Sequence, residues 1–235
     1  ESTTSTRDFR IRAHRLGDVV NSSPVYVGKP SVGWPAIAPF PEYPAPLSGD
    51  PDNTYNTWVN TGKQADGTTL VRDRMPVVYV AANDGMLHGF RTEQTDPSAS
   101  SADAGQEVLA FIPSTVADTA NTAGLHYLAN PNYQHHFYVD LNPALSDVYI
   151  KHRDTTTGDV TASEEWRTVL VGGKGAGGNT MFMLDVTDPS RFDAANVKEL
   201  VEWEFSQPNL GYTFSKPTIA MMNNGRFAAI FGNGY

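Results

Sequence analysis

Three stretches of this 235-residue chain are written in one grammar: "PVVYVAANDG" at 76–85, "RTVLVGG" at 167–173 and "RFAAIFGNG" at 226–234. Each is a short β-branched run ending in Gly, Asn or Asp, the pattern of a strand buried on both faces. The first two are followed by a partner, 86–90 and 181–185, and then by a third run, 107–111 and 199–203. Val77 to Val169 and Glu107 to Glu199 both span 92 residues, so the copies are in register. A fourth candidate strand precedes each copy, at 23–27, 136–139 and 216–220. The unit is an antiparallel quartet, run through twice and begun a third time. Quartets repeating along a chain with few helices predict an all-β fold, a partial β-propeller. About two and a half four-stranded blades are expected: blade one at about 16–113, blade two at about 134–206 and the start of blade three at about 212–235. A ring of that size would leave apolar sheet faces uncovered, so the reading expects further blades in a longer parent chain as its first partner.

The insertions are legible too. Residues 30–60 hold prolines at 30, 35, 39, 41, 44, 46 and 51, which bars most of the stretch from a central strand. The same insertion carries Trp34, Phe40, Tyr43, Tyr55 and Trp58. These aromatics form a candidate recognition surface, or else they pack the loop onto the sheets. Segments 96–105 and 153–165 read as polar loops. Short helices are expected from Ser114 to about Leu128, and after Asp188, where the carboxylate caps and Pro189 suits the first helical position.

Gly173, Gly175 and Gly178 match G-x-G-x-x-G after an apolar run. A dinucleotide loop needs a following helix, whose N–H groups face the pyrophosphate. The next residues, 179–186, are followed by Asp188-Pro189 and alternate as a strand, so the glycines are expected to turn a hairpin.

Charge narrows the function. With 17 Lys and Arg against 26 Asp and Glu, the formal charge is −9, spread along the chain. That argues against nucleic acid, whose phosphates demand a basic face, and against binding to an anionic membrane. No apolar run reaches membrane-spanning length, so no membrane insertion is expected. The N-terminal tract lacks the features of a signal peptide, and an export signal is expected on a longer precursor. Cysteine is absent, which removes thiolate metal sites and disulfides.

Candidate chemistry is sparse. Residues 50–56 offer oxygen ligands but lack the glycine and closing glutamate of a calcium loop, and read as a solvated turn. Asn83-Asp84-Gly85 reads as a hairpin corner in which all three residues supply positive φ. His135 and His136 are neighbours and would point to opposite faces of a strand; with His126 they make a weak zinc candidate. His88, in an apolar strand, reads as a hydrogen-bonded core group. No hydrolase motif is present. No catalytic, cofactor-binding or metal residue is assigned.

The segments "LGDVVNSSPVYVG" (16–28), "VVYVAANDGMLHGF" (77–90), "AFIPS" (110–114), "WRTVLVGGKGAGG" (166–178), "LDVTDP" (184–189), "WEF" (203–205), "LGYTFSKP" (210–217) and "FGNGY" (231–235) resemble the C-terminal β-propeller of the PilY/PilC family of type IV pilus biogenesis factors and tip-associated adhesins. The resemblance covers about Arg12 to Tyr235. It implies a quinoprotein-like propeller without a catalytic role, exported through the periplasm and displayed at the pilus tip or cell surface. There it would work with minor pilins, favour extension over retraction in twitching motility, and contact host cells or abiotic surfaces. The resemblance implies no cofactor in this segment; calcium belongs to a loop some members carry later in the propeller. Two alternatives share the architecture, a quinone-dependent dehydrogenase and a carbohydrate-binding propeller. The dehydrogenase lacks support in an adjacent Cys pair or a repeated tryptophan-docking motif.

Overall fold

The computed structural model describes residues 9–35, 54–93, 103–117, 123–153, 157–161 and 164–235. Two four-stranded antiparallel meanders and a two-stranded hairpin account for its strands. Sheet one contains β1 (Val25–Val27), β2 (Val77–Ala82), β3 (Met86–Arg91) and β4 (Glu107–Phe111). Sheet two contains β5 (Ala144–Ile150), β6 (Glu165–Gly173), β7 (Met181–Asp185) and β8 (Val201–Phe205). Sheet three pairs β9 (Thr218–Met221) with β10 (Phe227–Ile230).

Sheet two is covered on both faces, which is why its strands read as unbroken apolar runs. One face sends Leu170, Phe182 and Leu184 against Tyr79, Leu87 and Phe111 of sheet one, all buried. Phe111 and Phe182 meet at a ring separation of 5.0 Å. Each such side chain contributes about 1.5–3 kcal/mol by leaving water. The other face sends Val171, Met181 and Met183 toward Ile219 and Ala229 of sheet three and Phe231 just after it. Register decides which side chain goes where: Val169 is opposite Asp185, and Leu170 is opposite Leu184, so a one-residue slip would exchange the faces.

Two expectations are corrected. The inner strand of sheet two is Ala144–Ile150, and 136–139 is irregular chain. Residues 136–139 show apolar β-formers, but they are drawn away by hydrogen bonds to the sheet-one corner, where the Tyr138 N–H donates to Asn83 Oδ1 at 3.0 Å. The helix expected over 114–128 is confined to α2 (Gly124–Leu128), with a turn at 114–116 before it; residues 118–122 lie outside those described. The turn after Asp188 forms as expected, as a single 3-10 turn over Pro189–Arg191, with Asp188 accepting from the Ser190 N–H. Two other short helices occur, α1 (Tyr55–Thr61), capped by Thr54, and α3 (Val197–Leu200).

Candidate functional site

The glycine loop is a corner of the β6–β7 hairpin, as β6 and β7 pair antiparallel from Gly173 opposite Met181. Its glycines face the protein's own backbone. A Cβ on Gly177 would lie 2.2 Å from the Tyr138 carbonyl oxygen, and Gly175 sits at φ 56° with Leu141 N 3.0 Å from a Cβ position. The Gly175 N–H that a phosphate would need is donated to Thr213 Oγ1 at 2.9 Å. Thr213 in turn donates from N and Oγ1 to the Gly178 carbonyl, each at 3.1 Å. The loop therefore locks residues 138–141 and 213 in place.

A second polar centre joins sheet one to sheet two. Arg74, which precedes β2, is 4 % exposed and reaches across the seam. Its Nε donates to the Gly28 carbonyl at 2.7 Å, and one Nη donates to Thr168 Oγ1 at 2.7 Å and to the Thr187 carbonyl at 3.3 Å. Thr168 passes the contact on, donating to Asp147 Oδ1 at 2.6 Å. The other Asp147 oxygen accepts from the Tyr55 hydroxyl at 2.7 Å, and the Asp147 carbonyl accepts from Trp34 Nε1 at 2.7 Å. Burial lowers the Arg74 pKa, and the Asp147 carboxylate is the first of several charges opposing that shift. Burial and the Asp147 bond together push the Tyr55 phenol up. The guanidinium is thus held as a cation by a buried carboxylate, with Thr168 as the relay.

This seam places the insertion aromatics. Tyr55 is buried, with its ring 5.1 Å from Trp166. Trp58 stacks on Trp166 at 6.2 Å, and Trp34 meets Phe227 edge-on at 5.4 Å; both are half-buried. Phe40 and Tyr43 lie outside the described residues. The three placed aromatics share one cluster with Tyr149 and Trp166, and they bind the insertion to sheets two and three.

The third centre lies at the β2–β3 corner and was missed by sequence reasoning. Asn83 and Asp84 are 2 % and 3 % exposed, and positive φ occurs only at Gly85, at 94°. The expectation that all three residues supply positive φ is corrected: the two side chains are buried hubs. Asp84 accepts from the Gly17 N–H at 2.6 Å and faces His88 Nε2 at 3.0 Å. His88 Nδ1 faces Glu107. Carboxylates only accept, so a ring held between two of them carries both protons. Burial opposes that charge, yet the Asp84 and Glu107 bonds outweigh it and hold the imidazole above its usual value. Burial also raises Asp84, but the His88 contact outweighs it and holds the carboxyl below its usual range. His88 is the buried, hydrogen-bonded group the sequence predicts.

Around it, Asn83 Nδ2 approaches Asp18 and Asp140 at 3.3 and 3.4 Å, and Asn21 donates to Asp140 from both its nitrogens. His135 binds Asp18 at 2.8 Å, whereas His136 packs on Tyr127 at 4.7 Å, so the two histidines are separated. Residues 50–53 lie outside the described residues; 54 caps α1. No group of three His, Asp or Glu among the described residues is placed to hold a metal ion. Apart from the two carboxylates of His88, the partners at this corner come from 55 to 119 positions apart in the chain, a separation no local motif signals.

Taken together, the buried ionisable groups at the second and third centres are spent on one another. They fasten sheet to sheet, and strap residues 17–21 to the β2–β3 corner.

A family model described as the PilY1 beta-propeller domain matches residues 16–235. The chain is 37% identical over 238 residues to a type IV pilus biogenesis factor PilY1 homolog of Xylella fastidiosa, covering 100% of this chain and 13% of that protein. It is 39% identical over 241 residues to the type IV pilus biogenesis factor PilY1 of Pseudomonas aeruginosa strain PAK, covering 100% and 16%. Among solved structures, the crystal structure of the Pseudomonas aeruginosa PilY1 C-terminal domain is similar with a TM-score of 0.52 and 33% identity, over 89% of this chain and 31% of that one. The chain thus spans about one seventh of the length of these curated relatives.

Proposed function

The chain belongs to the PilY1 β-propeller family of type IV pilus biogenesis factors, and from that premise we propose that it serves as a non-enzymatic interaction domain of such a factor. In this reading it is exported and displayed at the pilus tip or cell surface, where it works with minor pilins and supports attachment to host or abiotic surfaces. One observation carries the proposal: identity to curated pilus biogenesis factors extends over the whole chain. The geometry supports its non-catalytic part, because Asp84, His88, Arg74 and Asp147 are committed to internal contacts. A catalyst needs such groups facing a substrate. The test is an in-frame removal of these residues from the parent gene, read as surface pili by shearing and as surface attachment. Loss of both, rescued by the intact gene and equally by a copy carrying His88→Gln, is expected. Full piliation and attachment without these residues would overturn the assignment, and failure of the folded His88→Gln copy to rescue would overturn its non-catalytic part.

A further inference from the structure

Where β6 and β7 run toward the Pro189–Arg191 turn, two buried side-chain atoms have no hydrogen-bonding partner in the protein: Arg167 Nε and Asp185 Oδ2. Asp185 is 6 % exposed, and its other oxygen accepts from the Thr187 N–H at 2.8 Å. The two unpaired atoms are 3.7 Å apart, too far for a direct hydrogen bond. Both residues line a small cleft of about 10 Å³, which they share with Thr187, Arg191 and Phe192. Tyr79 of sheet one makes a related demand. Its residue is fully buried, its hydroxyl has no partner, its ring meets Phe192 at 6.3 Å, and it lies in electrostatic reach of Arg74 and Asp185.

We propose that this cleft is a binding site for one structural water molecule, which accepts from Arg167 Nε–H and donates to Asp185 Oδ2. The size fits, since a water needs about 10–15 Å³ and at least two polar partners. The chemistry selects water over an ion. One unpaired atom is a donor and the other an acceptor, and a single water satisfies both; of the other carboxylates lining the cleft, Asp188 is held by Ala65 and Ser190 and Glu199 by Arg191, so a cation would find one free carboxylate oxygen beside the Arg167 guanidinium, and an anion would sit beside Asp185. Such a water would satisfy the last unpaired polar atoms of Arg167 on β6 and Asp185 on β7 beside Arg191 and Phe192.

The test is a crystal structure of the intact parent protein at a resolution that shows ordered solvent, with joint neutron refinement to place the hydrogens. A solvent peak within about 2.7–3.2 Å of both Arg167 Nε and Asp185 Oδ2 is expected, with one of its hydrogens on Asp185. Either an empty cleft, a direct Arg167–Asp185 hydrogen bond, or a peak refining as a metal or halide ion would overturn the proposal.

Discussion

Sheets one and two run the same meander but finish their central hairpins with different materials. In sheet one the β2–β3 corner takes three residues, and buried Asn83 and Asp84 gather partners from residues 17–18 and 138–140. In sheet two the corresponding β6–β7 corner takes seven residues, and its glycines let backbone press on backbone at residues 138–141. Both corners therefore grip the same segment, 138–141, one with side chains and one with bare main chain. A polar corner can be cut away group by group. A glycine corner fails by collision. The same contrast explains why a nucleotide fingerprint and a carboxylate cluster both occur here while serving as joinery.

The largest expected effect is at the seam that the two sheets share. Asp147→Ala leaves the Arg74 guanidinium buried without its principal counter-charge and should cost about 3–5 kcal/mol in denaturant unfolding. Asp84→Ala at the sheet-one corner should cost less, about 1–3 kcal/mol, because His88 keeps Glu107, which is half exposed. Equal losses would dissolve the distinction.

Next come the glycines. Gly177→Ala sets a methyl 2.2 Å from the Tyr138 carbonyl and should cost about 1–3 kcal/mol. Gly105→Ala in the β3–β4 turn of sheet one meets nothing within 4 Å and carries only the penalty of φ 83°, about 1 kcal/mol. A reversed order of melting temperatures would contradict the packing given for the sheet-two loop.

The sheets should also differ in pH response. Glu202, beside β7 on β8, is pushed up to about 7 by burial and by the Asp185 charge. A raised carboxyl favours the folded state while protonated, so stability should fall as pH rises from about 4.5 toward 7, and Glu202→Gln should flatten that window. His88 is raised as well, so its contribution is complete below about 6.5 and is lost as pH rises through the higher folded value. Asp84 is lowered, and its contribution is present above about 3.8 and lost as pH falls through the lower folded value. His88→Gln should therefore remove the sheet-one share of the loss above 6.5, leaving unchanged the Glu202 window and the share of His152, whose burial is outweighed by the Glu165 contact that also holds it above its usual value. Following unfolding by Trp fluorescence across these pH values checks both. The smallest effect belongs to Trp34→Phe, which deletes the bond to the Asp147 carbonyl and should cost about 0.5–1.5 kcal/mol.

Strands were the most legible part of this chain, since burial on both faces writes continuous apolar runs at β2, β6 and β7. The strand that escaped, β5, has Ser146 and Asp147 at its centre, so it lacks that signature. Its polarity is the function of the position: Asp147 is where Arg74, Thr168, Tyr55 and Trp34 converge. The insertion aromatics were recognisable as a group, but composition could not tell a surface from a clasp. Trp166, the ring that Tyr55 and Trp58 pack against, is more than 100 positions away. His88 could be read as a core histidine from its strand, whereas its two carboxylates come from a turn and from a neighbouring strand, which only the folded register brings together.

That polar groups in this chain are fasteners between sheets is tested most directly by a double-mutant cycle on Arg74 and Asp147, using Arg74→Met and Asp147→Leu. The account predicts strong coupling: each single change is severely destabilising, and the double variant loses far less than the two losses added. Strictly additive losses would contradict it, because Arg74 and Asp147 would then be stabilising the fold independently.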